Sequence, residues 1–142
     1  MNSSLFTTTS NNINQDVTII EQVGEGLVEL IEDGQLISKK MTILLTRHLQ
    51  KLVKHNIDYL VLGCTHYPYL IPQIKEIIGK DITIIDSGQA VAKQIKNVLE
   101  NNYLINTQKE KIKHQFYINT NVKVLAAFLE NNENYTIEKL DF

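Results

Sequence analysis

The chain has 142 residues, 43% of them hydrophobic, which is enough to build one domain with its own core. A formal charge of −2 and a pI of about 6.1 give no reason to expect a nucleic-acid or membrane-surface partner. No apolar run approaches the roughly 18 residues that cross a bilayer, and the single cysteine, Cys64, cannot form an internal disulfide, in keeping with a reducing cytoplasm.

Residues 1–15 are nearly all Ser, Thr and Asn, with Leu5, Phe6 and Ile13 as the larger apolar side chains after Met1. They lack the basic start and apolar centre of a secretory signal. So polar a stretch cannot offset its ordering entropy by burial, and it reads as a disordered arm. Val17-Thr18-Ile19-Ile20 is β-branched and short, which predicts a first strand. Leu27, Val28, Leu30 and Ile31 have helical spacing, and Gly34 supplies a stop. Glu32 and Asp33 close that helix against its dipole, so the plain reading there is a solvated helix end.

Ser38 caps a predicted helix from Lys39 to about His55, amphipathic through Ile43, Leu44, Leu45, Leu49, Leu52 and Val53. His48 and His55 on it are seven apart, wider than the i, i+4 spacing of a helical metal pair. Tyr59 to Leu62 is the next strand, followed by Gly63 and the cluster Cys64-Thr65-His66. Pro68 or Pro72 opens a helix carrying Leu70, Ile71, Ile74, Ile77 and Ile78, and Gly79 closes it. Ile82 to Ile85 is a strand ending in Asp86-Ser87-Gly88, which caps a helix from Gln89 to about Asn101. The same tripeptide suits an anion or an amino group, though simple capping accounts for it.

Tyr103–His114 is Lys-rich and polar and reads as a linker. A strand at Phe116–Ile118, a helix capped by Asn121 and a strand at Thr136–Leu140 complete the chain. Strands alternating with helices predict an α/β fold, a mostly parallel sheet with flanking helices.

The chemistry concentrates at Cys64-Thr65-His66. Open α/β sheets place their ligands at strand carboxyl ends, which is where this cluster falls. A thiol acts as its thiolate, and a nearby imidazole and helix start both favour that form. Thr65 offers a hydroxyl and a backbone N–H suited to a carboxylate. The residues support nucleophilic attack, metal binding through Cys64 and His66, or proton transfer by the thiol pair of states. A buried structural cysteine is the bland alternative. The hydrolase reading lacks a nucleophile elbow, and the metal reading lacks a second ligand cluster.

Leu60-Val-Leu-Gly-Cys-Thr-His-Tyr-Pro-Tyr-Leu70 resembles the second catalytic-cysteine motif of the bacterial glutamate racemases. Val28–Gly34 resembles that family's acidic segment upstream, and Ile84–Ala92 its segment downstream. The likeness runs from about Val17 to Phe142 and matches the family's C-terminal half. It implies an amino-acid racemase, an isomerase that interconverts L- and D-glutamate without cofactor or metal and supplies D-glutamate for peptidoglycan, cell-wall biogenesis and cell shape. It implies Cys64, His66 and Glu32 as catalytic residues, with Asp33 an alternative to Glu32, and Thr65 and His66 as substrate-binding residues.

The family uses two cysteines on opposite faces of the substrate and places the first in an N-terminal lobe. This sequence holds no second cysteine. The expected organisation is therefore an α/β lobe over 16–88 carrying the cysteine site, and a segment over 89–142 that completes an N-terminal lobe. The expected partners are glutamate and that missing lobe, or a homo-oligomer partner, with no nucleic acid and no membrane. Racemisation of aspartate or another amino acid, and a catalytically incomplete binding domain, are the rival readings.

Overall fold

The computed structural model of the chain describes residues 7, 8, 10, 12, 16–108, 112–129 and 134–142. The arm expected over residues 1–15 lies mostly outside them. Val17–Ile20 is not a strand. It runs as irregular backbone with Val17, Ile19 and Ile20 exposed, because no described strand lies alongside to take its backbone hydrogen bonds. β-branched residues favour a pleated neighbour-bearing surface, and without one the propensity has nothing to act on.

Helix α1 (Leu27–Glu32) buries Leu27, Leu30 and Ile31. It ends in a Schellman motif. Gly34, at φ 71°, donates to the Ile31 carbonyl at 2.9 Å, and Gln35 donates to Leu30 at 2.8 Å. The left-handed position is what makes glycine the stop here. Helix α2 (Lys39–Val53) begins at Ser38, whose hydroxyl accepts from the Met41 N–H at 3.0 Å. Its buried face is Met41, Leu45, His48, Leu49 and Leu52, the three- and four-residue spacing of an amphipathic helix.

Strand β1 (Tyr59–Leu62) passes through the reactive turn into a 3₁₀ turn (Tyr67–Leu70) and helix α3 (Ile71–Ile78). Pro68 and Pro72 both stand in first-turn positions, where a missing N–H removes no bond. Strand β2 (Thr83–Asp86) pairs parallel with β1, with Tyr59 opposite Thr83 and Leu62 opposite Asp86. Helix α4 (Gly88–Asn101) follows at once. Strands β3 (His114–Ile118) and β4 (Tyr135–Lys139) flank helix α5 (Val122–Phe128) and form a second parallel pair. The described strands thus form two separate two-stranded parallel sheets rather than a single one.

The core joins α1, α2, β1, the 3₁₀ turn and α3. Ile31, Met41 and Leu70 are fully buried at its centre. Leu60 and Leu62 on the inner face of β1 contribute to it, while Tyr59 and Val61 on the outer face are exposed. Phe128 of α5 packs on this core and stacks on Tyr69, ring centroids 4.3 Å apart. Helix α4 has no buried residue: its apolar stripe Val91, Ile95 and Val98 is 52%, 55% and 47% exposed.

Candidate active site

The register of β1 and β2 fixes where the chemistry sits. Leu62 pairs with Asp86, so the two strands end level, and the turns that follow them, Gly63–His66 and Ser87–Gly88, leave the same carboxyl edge. Cys64 is half-buried in the first turn, with a backbone bond from the Tyr67 N–H to its carbonyl at 3.2 Å. That bond starts the 3₁₀ turn and brings His66 back toward the sulfur.

Cys64 Sγ lies 3.7 Å from His66 Nδ1. On the far side of the ring, His66 Nε2 lies 3.1 Å from Glu32 Oε1. A carboxylate accepts only, so Glu32 holds the proton on Nε2 and leaves Nδ1 facing the thiol with its lone pair. Thiol, imidazole and carboxylate form a chain in which the base is oriented by a third group. The ring can take the thiol proton through Nδ1, and the carboxylate steadies the resulting cation. A sulfur–nitrogen separation of this length is usual before a substrate closes the site. Glu32 is the last residue of α1, where the helix dipole disfavours a carboxylate, and the His66 N–H that it accepts offsets part of that.

Of the two acidic residues left open by sequence, Glu32 reaches His66, whereas Asp33 is the C-cap whose N–H satisfies the Glu29 carbonyl. Thr65 is exposed beside the pair. At the neighbouring turn, Asp86 Oδ1 accepts from the Gly88 N–H at 2.8 Å, and the Ser87 side chain makes no capping bond. Asp86 therefore holds the start of α4, one residue earlier than an ordinary N-cap.

Three residues beside the site were given no role by the sequence, although Tyr67 lies within the cysteine motif. The Tyr67 hydroxyl donates to the Gly24 carbonyl at 3.4 Å. Its proton is held above the ordinary value of 10.0, first by burial, then by the negative charges of Cys64 and Glu29. His48 is buried and donates from Nε2 to the Glu25 carbonyl at 3.0 Å, while Nδ1 accepts from Gln22 Nε2 at 3.1 Å. Both ring nitrogens are thus used inside the protein, which makes His48 a fastener of the loop before α1. Gln22 and Tyr67 are 26 and 43 residues from their partners in the chain, a separation that no local pattern reveals. Two glycines in the Gly24-Glu25-Gly26 run are compatible with a close backbone approach but do not say to what.

Among the described residues no three His, Cys, Asp or Glu side chains gather as metal ligands, and no helix is long and apolar enough to cross a membrane. No protein-family model matches the chain. Among solved structures, 96% of it superposes on 52% of a glutamate racemase isoform, RacE1, from Bacillus anthracis, with a TM-score of 0.78 at 23% identity. The same coverage and TM-score, at 24% identity, relate it to a glutamate racemase from Francisella tularensis solved in complex with D-glutamate. The fold is thus the α/β fold of these two structures, in a length about half that of those chains.

Sequence narrows the class. Over 105 residues, 74% of this chain, it is 38% identical to a glutamate racemase of Pseudomonas syringae pv. tomato, matching 38% of that protein. Over an equal stretch it is 41% identical to a glutamate racemase of Pseudomonas putida, matching 40% of it. Over this stretch the chain is related to the glutamate racemases, and it spans about two fifths of the length of these curated relatives.

Proposed function

We propose that this chain supplies one wall of a glutamate racemase site. Cys64 is the proton-transfer thiol, His66 sets its protonation, and Glu32 orients His66. Thr65, with its exposed hydroxyl and backbone N–H, and the His66 ring receive the substrate. The observation that carries the reading is the continuous chain Cys64–His66–Glu32 at a strand carboxyl end, within a stretch related to glutamate racemases.

His66 takes the thiol proton, leaving a thiolate. The thiolate removes the α-proton of glutamate, and the electron pair of the broken C–H bond stays on the α-carbon, spread into the carboxylate. An acid on the opposite face then donates a proton to that carbon, inverting it. One group cannot reach both faces, and Cys64 is the only cysteine in these 142 residues. The second thiol therefore comes from outside them, on a complementary lobe that closes over the substrate. Two exposed apolar surfaces support such a lobe: the outer face of β1 and β2 with Tyr59, Val61 and Ile85, and the α4 stripe. A parallel sheet is ordinarily covered on both faces. The 16–88 lobe would then hold the cysteine site and 89–142 the docking segment. No cofactor or metal enters this scheme. A reduced thiol and a product used for peptidoglycan both suit the cytoplasm.

The test is α-proton exchange of L- and D-glutamate in D2O, alone and with the first half of the Pseudomonas putida relative added as a separate polypeptide. The chain alone is expected to be a poor racemase, and the mixture to racemise through Cys64. Efficient racemisation by the pure chain would sink the half-site reading. The single thiol also favours a catalytically incomplete binding domain. Binding of the added half without any exchange would select that reading, and exchange of aspartate in place of glutamate would reassign the substrate.

A further inference from the structure

Loop Gln22–Gly26 is gripped from two sides. From α2, His48 donates to the Glu25 carbonyl and accepts from Gln22. From the reactive turn, the Tyr67 hydroxyl donates to the Gly24 carbonyl. The loop leads directly into α1, whose last residue is Glu32. Gly24 is where the grip is tightest: a Cβ there would run into the Tyr67 ring and the Leu27 side chain. The reactive turn thus reaches back, through its own Tyr67, to the start of the helix that delivers the carboxylate to its own His66.

We propose that Tyr67 is a positioning residue for Cys64: its bond to the Gly24 carbonyl locks α1 against the reactive turn and so keeps Glu32 on His66. The ring closes a loop of contacts, Tyr67 to Gly24, along α1 to Glu32, to His66 and to Cys64, and back to Tyr67 through the turn. Short helices are weak on their own, so a helix of six residues such as α1 takes its position from what holds its ends. The Schellman motif holds one end and the Tyr67–His48 grip the other. The titratable groups around the thiol and the Tyr67 hydroxyl are His66 on the turn, and Glu29 and Glu32 on α1. This deepens the assignment of Cys64 as the working thiol and rests on that reading, yet it concerns thiol reactivity, which needs neither substrate nor a second lobe.

Cys64 is the only thiol, so alkylation of the intact chain by iodoacetate and iodoacetamide at neutral pH reads it directly. Tyr67→Phe keeps the ring and removes the hydroxyl. It is expected to slow alkylation by both reagents about two- to fivefold, the size of a modest coupling between neighbouring groups. Glu32→Gln is expected to slow it similarly, and the double variant to be no slower than Glu32→Gln alone. Circular dichroism of each variant fixes that it is folded. Should Tyr67→Phe slow alkylation equally in both backgrounds, or not at all, Tyr67 does not act through Glu32 and the proposal is overturned. Gly24→Ala gives an independent second arm: it displaces the Tyr67 ring and should reproduce the Tyr67→Phe rate, and an unchanged rate there counts against the grip. Failure of the chain mixed with the complementary half to exchange the α-proton of glutamate would overturn the racemase-site reading and leave these rates as they are.

Discussion

His66 Nε2 lies 3.1 Å from Glu32 Oε1, although 34 residues separate them and Glu32 ends one helix while His66 sits on a strand-end turn. The pair orients a ring whose other nitrogen faces the only thiol in the chain. The carboxylate is 61% exposed and the ring 31%, so the pair adds little stability. Its purpose is direction: it decides which ring nitrogen carries the proton.

Glu32→Gln should therefore separate function from stability. Glutamine can still accept from Nε2–H through its carbonyl but cannot steady an imidazolium by charge. Urea unfolding should move by less than about 1 kcal/mol, the range of exposed ion pairs. Cys64 alkylation at neutral pH should slow several-fold. Equal alkylation rates for Glu32→Gln and the parent chain would show that the carboxylate does not govern the thiol.

Gly24→Ala, which should also slow alkylation, should in addition destabilise the chain. The added methyl meets the Tyr67 ring and Leu27, a buried member of the core. Overpacking of this kind costs about 1–3 kcal/mol, and part of it falls on the 3₁₀ turn that carries Leu70 into the core. Urea denaturation of the variant checks the size, and Gly63→Ala is the control, since a Cβ at Gly63 meets nothing within 4 Å.

Much of this arrangement was legible in the residues, for reasons particular to each. The α2 stripe, the Ser38 cap, the prolines before α3 and the Gly34 stop are local, and local rules read them well. The cysteine motif was legible because an apolar strand running into Gly-Cys-Thr-His is an unusual string. Glu32 was legible only through resemblance: by pattern it was a solvated helix end, and nothing local says that α1 points it at His66. Val17–Ile20 failed in the other direction. Strand propensity needs a neighbouring strand, and none of the described strands lies beside it. The grip of Tyr67 and His48 on the Gln22–Gly26 loop was invisible, because it is made by tertiary contacts across 23 to 43 residues.

The Tyr67 proton gives a pH signature. The group is neutral when protonated, and in the folded chain its value is raised above 10.0, so the folded state holds this proton more tightly than the unfolded state does. The stabilisation linked to it is complete below pH 10.0 and is lost as pH rises through the higher folded value. The chain should accordingly lose stability more steeply than Tyr67→Phe above that pH, and the two slopes should run parallel below it. Urea midpoints taken from pH 7 to 11 for both proteins measure the difference. Parallel slopes across the whole range would mean that Tyr67 titrates alike in both states.

The α4 stripe yields the prediction that bears most directly on a missing lobe. Val91, Ile95 and Val98 recur at helical spacing, which is the pattern of a helix that buries one face, yet none of the three is buried here. Exposed apolar side chains in a row carry no stability of their own, so replacing them on the isolated chain costs nothing. Val91→Lys with Ile95→Lys should leave urea unfolding within about 0.5 kcal/mol of the parent, as for ordinary surface substitutions. The same pair of changes should abolish association with the complementary half of a family member, because two ammonium groups would have to be desolvated in an apolar contact. Titration of that half with the parent chain and with the double variant, followed by glutamate exchange in D2O, measures both effects. Undiminished association would place the docking surface elsewhere, the outer face of β1 and β2 being the next to alter through Val61→Lys.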